Sequence, residues 1–191
     1  MSADSRSYSP SSAKPKYAVE SWLRKYPINI KSFLPATQSM FAMAHDTRYV
    51  SNVLVCRISN GFGNKSPSVA KSLPYTTGAM VMATIDAIET GRFSCAPVSG
   101  FHHAGWWGGS GFCTFNGLMV AALHVLNLGL VESVGILDCD QHYGNGTDNI
   151  IRKLNLVNVI HYSAGASRHN PIRINLRKLW LKSVIYGLNE D

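Results

Sequence analysis

Apolar positions along this chain fall into helix-like and strand-like stretches that alternate through its second half. Residues 76–90 are small or apolar almost throughout, which predicts a helix with Gly91 as its stop. Asn116 to Leu128 predicts a second helix, ended by Gly129. Val134-Gly-Ile-Leu-Asp-Cys-Asp140 is an apolar run after a helix, the pattern of a buried parallel strand. Thr147 to Leu154 predicts a further helix and Val157 to Ile160 a further strand. Upstream, Val19 to Tyr26 predicts a short helix before an Ile-rich segment, Ile28-Asn-Ile30. Ala42 to Ile58 predicts a longer one, with Ala42, His45, Tyr49 and Val53 at helix spacing. Asn60 to Pro67 reads as a loop by its Gly, Asn and Pro content. Helices alternating with buried strands imply a layered α/β sheet. There are no internal repeats.

Three zones follow from this pattern. Residues 1–16, rich in Ser, Pro and Lys, read as a flexible lead-in. Residues 17–165 carry the patterned domain. Residues 166–191 are basic and lack clean amphipathicity, so they read as an atypical tail.

Composition narrows the class. With 46% hydrophobic and 15% charged residues the balance is that of an ordinary globular domain, not a disordered one. No apolar run approaches the roughly 18 residues needed to span a bilayer, and no apolar stretch follows the Ser-rich start as a secretory signal would require. Four cysteines at irregular spacing, without a C-x-x-C pair, argue against a zinc knuckle and a disulfide framework; a reducing, cytoplasmic setting is expected. The net charge of +7 is confined to the ends: residues 1–60 carry +5, 61–165 carry −1 and 166–191 carry +3. No basic stripe crosses the middle of the chain, so direct nucleic-acid binding is not expected.

The chemistry concentrates in two clusters. Asp138-Cys-Asp-Gln-His142 ends the predicted strand, and Gly144 and Gly146 follow it. In an extended strand Asp138, Asp140 and His142 share one face. Open α/β sheets place ligands at such carboxyl ends. Two carboxylates and an imidazole there suit zinc or another divalent first-row metal. The alternative is a helix cap beside a satisfied histidine. The second cluster is Phe101-His-His-Ala104, opening a Gly-rich stretch that ends Gly111-Phe-Cys-Thr-Phe-Asn116. Adjacent histidines act as a base and its electrostatic partner when each is oriented by an acceptor; taken alone, the pair also fits a surface coincidence.

In order and spacing, His102-His103-Ala104, Gly111-Phe112-Cys113 with Asn116, and Asp138-x-Asp140-x-His142-x-Gly-Asn-Gly146 together resemble the histone deacetylase-like family. The resemblance is specific over residues 96–165 and looser over 17–95, where Asn60-Gly-Phe-Gly-Asn64 is similar to bacterial-type members. It implies an α/β parallel-sheet, arginase/deacetylase-like three-layer fold. The implied activity is zinc-dependent hydrolysis of an acetylated lysine or related acetylated amine. By the resemblance, Asp140 and His142 are two of three zinc ligands. His102 and His103 flank the attacking water, with His103 the base. Asp138 orients His102 and helps hold a structural monovalent cation such as potassium, and Asn145 stands behind His103. Gly111 and Phe112 line the substrate tunnel, with Cys113 as its lower wall.

The family's third ligand, a later Asp, and its oxyanion-stabilising Tyr have no counterpart in this sequence. After His142 come only Asp148, expected to face away from the metal, and Asp191; Tyr162 and Tyr186 lack the family context. The chain therefore reads as the N-terminal half of a deacetylase, inactive alone, with exposed sheet edges that favour self-association. A frameshift or premature stop near Ser167 is expected, and the other two frames of the coding DNA test it. The rival reading is a non-catalytic relic or a module that pairs with a partner chain. A binuclear manganese hydrolase would want D-x-H-x-D order, which this chain lacks.

Overall fold

The computed structural model describes residues 14–165 and the backbone of residues 184–187. In chain order the elements are α1 (Lys14–Lys25), α2 (Gln38–Ala44), α3 (Thr47–Leu54), α4 (Pro67–Thr90), α5 (Gly117–Asn127), β1 (Val134–Asp138), α6 (Asn145–Leu154), β2 (Val159–Ser163) and β3 (Val184–Gly187). The three strands are parallel in the order β2-β1-β3, so the site-bearing strand is central. Val134 pairs with Val159 and Asp138 with Ser163 on one side. Gly135 pairs with Val184 and Asp138 with Gly187 on the other.

The core explains why α5 forms where it does. Leu118, Met119, Val120, Ala121, Ala122 and Val125 are all buried, so this helix is enclosed by α2, α4, α6 and β1. Burying each large side chain contributes about 1.5–3 kcal/mol. Phe41 of α2 is fully buried against Phe115, ring centroids 4.4 Å apart, and ties the α2–α3 pair to the start of α5. Asn116 caps α5 by accepting the Met119 N–H. Asn127 ends the helix, and Gly129 follows in the left-handed region.

Several boundaries differ from the sequence reading. The single helix expected over 42–58 is two, because Asp46 accepts the N–H groups of Arg48 and Tyr49 and so starts α3 afresh. The helix expected from 76 begins at Pro67; Pro74 lies inside it, and Gly91 closes it in the left-handed region as the sequence predicts. The first helix begins at Lys14, so the flexible lead-in expected over 1–16 does not reach residue 16; residues 1–13 lie outside the described residues. The strand expected at 157–160 is shifted to 159–163. Within the tail expected to lack pattern, residues 184–187 form β3; the remainder of 166–191 lies outside the described residues, and with it the trace of a frameshift.

Candidate active site

The loop that carries the paired histidines is fixed by a buried brace. His45, at the end of α2, has no solvent exposure. Its Nδ1–H donates to Gly105 O at 2.8 Å, and its Nε2 accepts the Asn116 N–H at 2.8 Å. The Asn116 amide in turn donates to Ala104 O at 3.1 Å and to Thr147 Oγ1 at 3.0 Å. Three distant segments are thereby locked around residues 102–105. Because both ring nitrogens are used by a neutral imidazole, burial lowers the His45 pKa from 6.5 to about 4, with the Gly105 hydrogen bond only partly opposing it.

The second cluster sits at the end of β1, but not in the way strand alternation predicts. The strand stops at Asp138, so Asp140 and His142 lie in the turn beyond it. The carboxylates themselves shape that turn: Asp138 Oδ1 accepts the Asp140 N–H at 3.1 Å, and Asp140 Oδ1 accepts the His142 N–H at 2.7 Å. Asp138 and Asp140 are buried, whereas the His142 side chain is 53% exposed.

The two clusters meet. His102 Nδ1 lies 2.8 Å from Asp138 Oδ2, and His103 Nδ1 lies 2.6 Å from Asn145 Oδ1. Both acceptors are oxygens, so each ring donates from Nδ1 and is left with Nε2 able to take a proton. The two rings are 4.0 Å apart, and His103 is 6.0 Å from His142. Burial opposes the charge on Asp138, but hydrogen bonding to His102 and interaction with His161 outweigh it and hold its carboxyl well below the usual range. Gly111, at φ 52°, lets its segment press on this pair: a Cβ there would come within 2.5 Å of His103 Cδ2.

The same segment builds a wall beside the histidines. Phe112 donates its N–H to Gly61 O at 3.0 Å, and Gly61 donates to Thr114 Oγ1 at 3.0 Å. The Asn60–Asn64 loop is thus stitched to residues 111–114, and the Phe62 and Phe112 rings lie 5.7 Å apart. Phe112 is partly exposed, while Cys113 is buried beneath with its thiol pushed up to about 12, chiefly by burial.

Sequence reasoning missed two groups. Phe62 partners Phe112, and the regularity of the Asn60-Gly-Phe-Gly-Asn64 loop was its only signal. His161 on β2 is buried, with Nδ1 2.7 Å from Asp148 Oδ1 and Nε2 3.7 Å from Asp138 Oδ2. Burial opposes its protonation, but the carboxylates of Asp138 and Asp148 raise its pKa overall. Asp148 faces His161 and the Tyr143 hydroxyl, which accounts for its not joining Asp140 and His142.

The donor chemistry fits zinc in part. Asp140 Oδ1 and His142 Nδ1 lie 3.0 Å apart. Neighbouring ligands of a tetrahedral ion with bonds of about 2.0 Å are about 3.3 Å apart, so a small opening lets both reach one ion. No third His, Cys, Asp or Glu completes such a cluster among the described residues. The resemblance places a monovalent cation beside the Asp138 carboxylate. That carboxylate already accepts from His102 and from the Asp140 N–H, and it faces the basic ring of His161.

A central parallel strand ending in acidic and imidazole groups, with helices packed around it, defines an α/β protein of the arginase/deacetylase type. The histone deacetylase domain model matches residues 11–167, and the chain belongs to that family. It is 29% identical over 140 residues to histone deacetylase 14, chloroplastic, of Arabidopsis thaliana, covering 64% of this chain and 33% of that protein. To histone deacetylase 10, chloroplastic, of Oryza sativa subsp. japonica it is 27% identical over 138 residues, covering 63% and 31%. The crystal structure of the HDA15 HD domain superposes with a TM-score of 0.66 at 25% identity, covering 80% of this chain and 45% of that one. The chain therefore spans less than half the length of these relatives.

Proposed function

We propose that this chain carries the water-activating side of a zinc-dependent deacetylase site, acting on N-acetyl-lysine or a related acetylated amine. The observation that carries the reading is the pair of adjacent, tilted imidazoles, each backed by its own acceptor, beside the Asp140–His142 donor pair. Asp140 and His142 would hold the ion. Bound zinc would polarise the acetyl carbonyl and acidify the attacking water. His103 Nε2, free because Asn145 holds Nδ1, takes the proton from that water and returns it to the leaving amine. His102, oriented by Asp138, stabilises the developing charge. Gly111, Phe112 and Cys113 line the approach for the acylated side chain.

As a single polypeptide the chain is proposed to be inactive, because a catalytic zinc takes three protein ligands and the described residues supply two. One observation favours a second reading, a module that pairs with a partner or with itself: among the described residues β2 lies at the sheet edge, with Ile160 41% exposed and Val157, two residues before the strand, 91% exposed. All four cysteines are free, which supports a reducing compartment; the cytoplasm is proposed, while the two plant relatives are named as chloroplastic. Among the described residues no helix is long and apolar enough to cross a membrane.

Zinc titration of the purified 191-residue chain by calorimetry, with Asp140→Ala alongside and acetyl-lysine turnover measured in parallel, tests this. Expected are one weak zinc site lost in the variant and no turnover. Zinc binding unaffected by Asp140→Ala would remove the assignment of the ligands, and turnover by the lone chain would remove the proposal of inactivity.

A further inference from the structure

His161 is the residue that the reaction scheme leaves unused. Its side chain is 2% exposed, and Nε2 is the one buried side-chain nitrogen or oxygen among the described residues without a hydrogen-bond partner. A buried donor without an acceptor is costly, so its surroundings call for explanation. Asp138 Oδ2 stands 3.7 Å from Nε2, just beyond hydrogen-bond length. On the other side of the ring, Nδ1 is held at 2.7 Å by Asp148 Oδ1, and the Tyr143 hydroxyl donates to the second oxygen of Asp148. Both flanking groups are carboxylates, which only accept, so a ring that serves both carries a hydrogen on each nitrogen.

The spacing is built into the fold. His161 pairs with Ile136, the middle residue of β1, and Asp138 lies two residues further along the same strand face; Asp148 projects from the first turn of α6. Gly144, the N-cap of α6, lies against the gap: a Cβ there would press on Asp138 Oδ2 and come within 2.9 Å of His161 Cε1 and 3.1 Å of Nε2. No side chain can be added at that point without separating the two groups.

We propose that His161 is a positioning residue for Asp138, bridging it to Asp148 so that the carboxylate orienting His102 is itself held from α6. The bridge runs Tyr143, Asp148, His161, Asp138, His102, from the surface to the imidazole pair. Its catalytic meaning rests on the deacetylase reading; its existence does not.

Ring-nitrogen NMR of the metal-free, 191-residue chain reads the bridge directly, comparing wild type with His161→Phe and Asp148→Asn. In wild type, His102 is expected to show a slowly exchanging Nδ1–H, and His161 a hydrogen on each nitrogen. In His161→Phe the protected His102 signal is lost, while that of His103, held by Asn145, stays. In Asp148→Asn the His161 nitrogens shift and His102 follows. A folded His161→Phe chain with unchanged His102 resonances overturns the proposal. Should that variant fail to fold, Asp148→Asn decides, and an unmoved His102 overturns it equally. Zinc titration of the same samples separates the two readings. Moved His102 signals without zinc binding sink the deacetylase reading and leave the bridge, and zinc binding with unmoved signals does the reverse.

Discussion

His45 makes the stability of this chain pH-dependent in a calculable way. In the folded state the ring is neutral, donating to Gly105 O and accepting from the Asn116 N–H, and burial lowers its pKa to about 4. In the unfolded chain it titrates near 6.5. Below pH 6.5 the unfolded state therefore binds a proton that the folded state refuses. The His45 contribution is fully present above the unfolded pKa and is lost as pH falls toward the folded one. A shift of about 2.5 units at 1.36 kcal/mol each is about 3 kcal/mol in total, of which about 2 kcal/mol is gone at about pH 5. Other groups titrate in this range, and His161, with its raised pKa, acts with the opposite sign. The informative quantity is thus the difference between wild type and His45→Gln, in which those groups cancel. Urea denaturation of both proteins at about pH 7.5 and about pH 5 supplies it, and the gap in unfolding free energy is expected to shrink by about 2 kcal/mol on acidification. A gap constant to within about 0.5 kcal/mol would mean that His45 is not the neutral, doubly bonded brace described above.

Other consequences are as direct. Asn116→Ala removes the cap of α5 and leaves Ala104 O and Thr147 without their donor, so a loss of about 3 kcal/mol is expected in the same denaturation assay. Gly111→Ala costs about 1–2 kcal/mol for its left-handed backbone alone, and its Cβ displaces the His103 ring. An unmoved His103 ring signal in NMR would contradict that contact. Cys113 is expected to resist iodoacetamide at mildly alkaline pH while exposed Cys139 is labelled, and to react only once denaturant is added; mass spectrometry of the digested chain distinguishes the two.

What the sequence disclosed and what it hid divide along a physical line. The α5–β1–α6 order was legible because apolar runs and glycine stops report burial locally; the meeting of the two histidine-bearing clusters, through His102 with Asp138 and His103 with Asn145, is a tertiary contact that neither cluster reports by itself. The geometry of Asp138, Asp140 and His142 was not, since strand alternation fails once side-chain carboxylates capture the next backbone N–H groups. His45 looked like one more position on a helix face; its role depends on Gly105 and Asn116, distant along the chain. His161 carried no local signal, because its partners are set by the strand register and by α6. The division of 42–58 into two helices turned on Asp46, a cap that apolar periodicity does not see.

The contrast between His142 and Gly146 bears on how selection could be read in natural variants of this chain. The His142 side chain is largely exposed, whereas Gly146 is buried where a Cβ would collide with the backbone of His103 and Ala104. Drift under pressure for shape alone would keep the glycine and release the histidine. Populations in which His142 varies freely beside an invariant Gly146 would record a scaffold retained after its chemistry lapsed. An invariant His142, despite its exposed side chain, would record chemistry still in use.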